Sequence, residues 1–221
     1  MPKLLPTKIY RWTRSSFPLS FVVLLGCLGL LALFGWLSQE VLEKEAFDFD
    51  TTVLLWLHQH SNFTIDSLML RITALGDPEF IVILLTISFS LLLGFKRVWA
   101  AQILFFNCLG GLILNQGLKL VFTKPRPQLW TPLIVEHSYS FPSGHALGSS
   151  VVYGFLAILL ARQYPCYRLG IHGVAVVIVG SIGLSRLFLG VHYPTDIIAG
   201  YAVGLLWLIT CVVILQMGGK R

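Results

Sequence analysis

Charge is scarce in this chain. Of its 221 residues only 12% are Asp, Glu, Lys or Arg, against 56% hydrophobic, whereas a soluble domain carries roughly a quarter charged. That deficit excludes an ordinary water-soluble globule. Cysteine is sparse as well: Cys27, Cys108 and Cys211 fall inside apolar runs and Cys166 in a short polar turn, so no disulfide framework is expected. No low-complexity tract or internal repeat is present, which argues against a transporter built from repeated halves with a midplane site. The two loops that gather the motif-bearing charges contain no paired carboxylates, the oxygen-rich set that a magnesium or calcium site requires.

What the chain has in quantity is long apolar runs. Crossing a hydrocarbon core of about 30 Å takes roughly 20 helical residues, and six runs approach or reach that length: Phe17 to Leu37, Phe80 to Phe95, Val98 to Leu118, Ala146 to Leu160, Leu169 to Leu187 and Thr195 to Leu215. The runs are continuously apolar, without the in-and-out alternation of barrel strands. The expected fold is therefore all-α, an integral membrane bundle of six helices forming a single domain over the whole chain. The basic start followed by an apolar run, with Leu24-Leu25-Gly26-Cys27 inside it, has the look of a cleaved leader. Apolar sequence nevertheless continues to Leu37 without a polar break, so the run is read as a retained span.

The few charges fix an orientation. Lys3, Lys8, Arg11 and Arg14 precede the first run; Lys96 and Arg97, then Arg162 and Arg168, fill short turns; Lys220 and Arg221 close the chain. The positive-inside rule puts these regions, and so both termini, in the cytoplasm. Glu40, Glu43, Glu45, Asp48, Asp50, Asp66, Asp77, Glu79, Glu136 and Asp196 all fall on the other side. The net charge of +6 thus reports membrane orientation and implies no nucleic acid. Between the first two runs, Ser38 to Pro78 forms a long outer segment. There Val53, Leu54, Trp56 and Leu57, then Ile65, Leu68, Met69 and Ile72, recur at helical spacing, predicting an interfacial amphipathic helix interrupted near Ser61-Asn62. His58 and His60 in that segment lack the partners of a metal site and read as polar-face residues. Gly200 and Gly204 make a GxxxG on the face that carries Asp196, which predicts close packing inside the bundle. Nothing in the sequence assigns an oligomeric state.

Charged residues near the end of an apolar span usually line a cavity or face partner helices, and here they concentrate in two loops. The loop between the third and fourth runs carries Lys119, Lys124, Arg126, Ser143, Gly144 and His145; that between the fifth and sixth carries Arg186, His192 and Asp196. Parity of crossing brings both to the outer face. Cations, two histidines, a serine and one acid describe an anion site, and phosphate is the natural guest. Arg126 and Arg186 each offer a planar fork and Lys119 a compact charge. Pro125 and Pro127 hold Arg126 in extended chain. Ser143-Gly144-His145 opens a helix whose free N–H groups face the anion, and Gly144 lets the backbone approach. Asp196, four residues after His192, can hold Nδ1–H of the ring and leave Nε2 to attack phosphorus, with His145 left for acid work. Trp130 and Tyr139 are interfacial aromatics or part of a substrate mouth.

The run Lys119-(six residues)-Arg126-Pro127, then Pro142-Ser143-Gly144-His145, then Ser185-Arg186-(five residues)-His192-(three residues)-Asp196 resembles the three-part signature of the type-two phosphatidic acid phosphatase superfamily. The resemblance implies His192 as nucleophile, Asp196 as its orienter and His145 as general acid. It implies Lys119, Arg126, Ser143, Gly144 and Arg186 as phosphate ligands, and chemistry without a metal ion or other cofactor. Lys124, between motif positions, receives no role. Expected partners are a lipid phosphate substrate and the surrounding membrane lipids; a sugar phosphate or a transfer to another acceptor are the alternatives on this fold. A haloperoxidase would use the same pocket, but relatives of that type are soluble. The substrates expected are undecaprenyl diphosphate, phosphatidylglycerophosphate and phosphatidic acid, hydrolysed at the outer face of a bacterial plasma membrane.

Overall fold

Lipid offers no partner for a peptide group, so an apolar segment satisfies its backbone internally by forming a helix. The computed structural model describes residues 17–43 and 48–218, with side chains of the first helix from residue 21 onward. Lys3, Lys8, Arg11, Arg14, Glu45, Lys220 and Arg221 lie outside the described residues. The elements are α1 (Phe17–Glu43), α2 (Asp48–Gln59), α3 (Phe63–Thr73), a 3-10 turn (Ala74–Gly76), α4 (Pro78–Gly94), α5 (Val98–Phe122), α6 (Gly144–Gln163), a second 3-10 turn (Pro165–Tyr167), α7 (Arg168–Phe188) and α8 (Pro194–Gly218). No strand occurs among the described residues.

Each of the six apolar runs is a helix. Five helices, α1 and α5 to α8, are long and apolar enough to cross a membrane; α4 is shorter and meets α3 at a bend of 46°. α1 runs past Leu37 to Glu43 because its last turns still have something to bury: Leu37 and Val41 pack on Phe141 and Ala199, while Gln39 donates to Glu43 at 2.8 Å. The amphipathic segment is two helices rather than one interrupted helix. Asn62 ends the break by accepting from the N–H groups of Thr64 and Ile65 at 3.1 and 3.0 Å, the usual N-cap contact. α2 buries Leu54 and Leu57, α3 buries Met69, and Met69 packs on Leu189 and Val191 of the α7–α8 connection. The other faces keep Phe49, Trp56 and Phe63 exposed, as suits an interfacial position.

α6 sits at the centre, between α7 and α8. Gly200 and Gly204 make the α6–α8 contact possible: a Cβ at Gly200 would lie 2.7 Å from the Ser143 carbonyl, and one at Gly204 would lie 3.0 Å from that of Leu147. The motif therefore serves packing within this chain. Below it Leu104, Phe155, Leu208, Cys211 and Leu215 form the largest buried cluster. The four cysteines are unpaired. One end of the bundle gathers the ends of α5 and α7 and the starts of α6 and α8. The opposite end carries Lys96, Arg97, Arg162 and Arg168, where Arg97 hydrogen-bonds Gln163 and Trp99 donates to the Leu215 carbonyl at 3.3 Å.

Candidate active site

His192 lies in the short link before α8, and Pro194, which needs no N–H partner in a first turn, starts the helix so that Asp196 returns beneath the ring. Both side chains are buried, at 1% and 0% exposure. Asp196 Oδ2 is 3.4 Å from His192 Nδ1, but its closer donors are the Ser140 hydroxyl at 2.5 Å and the Tyr193 N–H at 2.8 Å. Oδ1 takes the Lys124 ammonium at 2.8 Å. Burial drives the His192 imidazole down to about 3; the Asp196 contact opposes the shift and Arg126 and Arg186 add to it. The ring is neutral near pH 7. With Nδ1–H assigned toward the carboxylate, the Nε2 lone pair faces Arg126 Nη1 at 3.2 Å.

Arg126 is fixed from several sides. Its Nε donates to the Ser138 carbonyl at 2.8 Å and Nη1 to the Val191 carbonyl at 2.7 Å, while Pro127 beside it is buried. Lys119, in the last turn of α5 and buried, donates to the Ser138 hydroxyl at 2.8 Å. Arg186 on α7 is 1% exposed; Nη1 donates to Thr73 Oγ1 at 2.8 Å and Nη2 is paired with Glu136. Its Nε has no partner, an orphan donor of the kind that burial ordinarily forbids. The other Glu136 oxygen lies 3.6 Å from Arg126. Burial alone would raise the Glu136 carboxyl, yet the Arg186 and Arg126 charges outweigh it and hold the group below its ordinary value. The two guanidiniums thus already share an anion. Beside them opens a groove of ≈590 Å³ walled by Trp130, Ile134, Val135 and Val191, with Trp130 stacked on His58 at 4.2 Å. His60 bonds the Trp56 carbonyl at 2.8 Å.

α6 begins under this cluster. Ser143 caps it, its hydroxyl accepting from the Ala146 N–H at 3.5 Å, and its own N–H donates to the Asp196 carbonyl at 3.0 Å, tying the two loops together. A side chain at Gly144 would press Asn115 Oδ1 at 3.1 Å. His145, one residue on, bonds Asp77 Oδ1 through Nε2 at 2.9 Å. The sequence-predicted residues therefore meet at one end of the bundle. Sequence reasoning gave no role in the site to Ser138, Ser140, Glu136, Lys124, Thr73, Asp77 or Asp50. Lys124 joins Asp196 to Asp50, which lies 3.7 Å away and caps the start of α8 by accepting from Thr195 N–H at 3.0 Å and its hydroxyl at 2.6 Å. Glu136 was the findable one, as the sole acid between α5 and α6.

An imidazole lone pair facing a cluster of cations is an arrangement for attack on a bound oxyanion. The chain as a whole is similar to known proteins. The chain is 32% identical over 145 residues to phosphatidylglycerophosphatase B of Bacillus subtilis, covering 64% of this chain and 71% of that one. It is 31% identical over 169 residues to an undecaprenyl-diphosphatase of Sulfolobus acidocaldarius, covering 73% and 76%. The fold matches the crystal structure of a transmembrane PAP2 type phosphatidylglycerolphosphate phosphatase from Bacillus subtilis with a TM-score of 0.80 at 25% identity, over 87% of this chain and 96% of that one. Residues 99–220 match the PAP2 superfamily, and with the helical fold and these relatives the chain belongs to that superfamily.

Proposed function

We propose that this protein is a membrane phosphatase that hydrolyses a lipid phosphomonoester or diphosphate at the outer face of the membrane through a phosphohistidine. The observation that carries the proposal is Arg186: a buried guanidinium whose Nε lacks a partner, beside a second guanidinium that touches the neutral Nε2 of His192. Such a cluster is built for a multiply charged oxyanion, and the Glu136 carboxylate between the arginines stands where phosphate oxygens would sit. In the reaction, His192 Nε2 attacks phosphorus while Asp196 stabilises the positive ring. The P–O bond to the leaving group breaks, and His145 gives that oxygen a proton. Neutral His145 then takes a proton from water, whose oxygen attacks the phosphohistidine and frees His192 and inorganic phosphate. Lys119, Arg126 and Arg186 hold the charge that grows on phosphorus.

A lipid is favoured over a soluble ester because the site lies at helix ends beside exposed apolar α2 and α3 faces, so a chain can stay in the bilayer while its phosphate enters. The names of the relatives point to phosphatidylglycerophosphate and undecaprenyl diphosphate; phosphatidic acid offers the same chemistry. The basic end of the bundle faces the cytoplasm by the positive-inside rule, which sets the acidic site end outside. The test is phosphate release in detergent from these three lipids and from glucose 6-phosphate, with wild type and His192→Ala side by side, in the presence of a chelator. Lipid turnover by wild type alone is expected. Release from the sugar phosphate only, or activity that returns only with added magnesium, overturns the proposal.

A further inference from the structure

Asp77 stands outside residues 99–220, the part matched to the superfamily, and outside every motif that the sequence displays. It caps the turn between α3 and α4, and its carboxylate accepts from His145 Nε2 at 2.9 Å across a separation of 68 residues. The turn is seated with care. Leu75 accepts from the Tyr153 hydroxyl at 2.6 Å, and Thr73 accepts from Arg186. Gly76 packs so closely on the ring that a Cβ there would lie 2.6 Å from His145 Cδ2. A bare backbone on one side and a carboxylate on the other leave the imidazole one place to sit.

We infer that Asp77 is a positioning residue for the general acid, fixing the tautomer and orientation of His145 so that Nδ1 carries the proton given to the leaving oxygen. Asp77 keeps the Nε2–H throughout. When the ring is cationic, Nδ1–H passes its proton to the departing oxygen; the neutral ring that remains still has its Nε2–H on Asp77, and its Nδ1 lone pair accepts the proton of the incoming water. The carboxylate also balances the nearby Arg186 charge; Glu136 is the other acid that faces the ring. The role given to Asp77 rests on the phosphatase reading, with His145 as proton donor.

The experiment compares kcat/KM, which reports the steps up to the phosphohistidine, on an alkyl ester that needs protonation, phosphatidic acid, and on an aryl phosphate that needs little. Wild type, His145→Ala, Asp77→Asn, Asp77→Glu and the His145→Ala/Asp77→Asn double variant are purified as the full chain, and their melting temperatures are recorded. A positioned general acid contributes roughly 10²–10⁴-fold; Asp77→Asn should lose at least about tenfold of this on phosphatidic acid and under about threefold on the aryl ester. Asp77→Glu should recover part of the loss, and the double variant should be no worse than His145→Ala. Gly76→Ala, which displaces the ring without touching the carboxylate, should show the same leaving-group selectivity. If His145→Ala is selective but Asp77→Asn is neutral, or impairs both esters alike, or adds fully to His145→Ala, the role of Asp77 is overturned. If His145→Ala itself shows no selectivity, or wild type cleaves neither ester, the underlying reading has failed and the proposal falls with it.

Discussion

Two imidazole–carboxylate pairs share this site, and they are built in opposite ways. His192 and Asp196 are four residues apart, wholly buried, and their carboxylate answers to Ser140, Lys124 and the Tyr193 N–H before it answers to the ring. His145 and Asp77 are joined across the fold, and the Asp77 side chain is 40% exposed. The contrast follows the work each ring would do. As the proposed nucleophile, His192 would have to stay neutral and fixed, which fits a sealed ring whose carboxylate is shared among several donors. As the proposed acid and base, His145 would exchange a proton with water, which fits its pairing with a carboxylate that is itself open to solvent.

The contrast is most easily broken by deleting each ring in turn. His192→Ala should abolish turnover of every ester, on the order of the 10⁶-fold seen when a hydrolase loses its nucleophile, while His145→Ala should spare aryl phosphates; equal losses on all esters would erase the distinction. Next in size, Lys124→Met removes an ammonium from the buried Asp196. A lost charged hydrogen bond of that kind costs about 1.5–3 kcal/mol, so rates should fall roughly tenfold or more, equally for alkyl and aryl esters, because the damage lies on the nucleophile's side. Smaller still, Glu136→Gln weakens the anion already held by Arg126 and Arg186 and should tighten inhibition by vanadate several-fold, about 1 kcal/mol for a partly exposed pair; weaker inhibition would mean that Glu136 supports the bound oxyanion. The subtlest test involves no loss of activity. Nitrogen NMR of labelled histidines should find His192, driven to about 3 by burial, unchanged from about pH 8 to about pH 5. Protonation is confined to lower pH, since the shift favours the neutral form, and a midpoint near the ordinary 6.5 would show the ring to be hydrated.

The apolar runs announced the helices because lipid leaves a segment no other way to satisfy its backbone. The signature residues were equally visible, since phosphate chemistry calls for particular side chains at helix starts. What stayed hidden was everything held at long range by one residue. Asp77, Asp50 and Thr73 belong to a segment whose amphipathic pattern spoke only of a membrane surface, and their partners His145, Thr195 and Arg186 lie 68 to 145 positions away. Lys124 sat in a loop rich in cations, where its pairing with Asp196 had no sequence mark. Ser140 is one hydroxyl among several near α6, and only the fold says which of them reaches the carboxylate. The break at Asn62 was legible, yet not that it separates two helices with different tasks, α2 bracing the start of α8 and α3 reaching Arg186.

Glu136 has a consequence for life among phospholipids. Arginines left bare at a bilayer surface would be occupied by whichever headgroup drifted past, and nearly all of those are phosphodiesters with a single negative charge. Because a tethered carboxylate already supplies one charge, a diester gains little by evicting it, whereas a terminal phosphate, with a charge of about −1.5 to −2 near neutrality, brings more than it displaces. On the proposed reading, a resident acid would thus work as a threshold that admits chain ends and turns away the crowd.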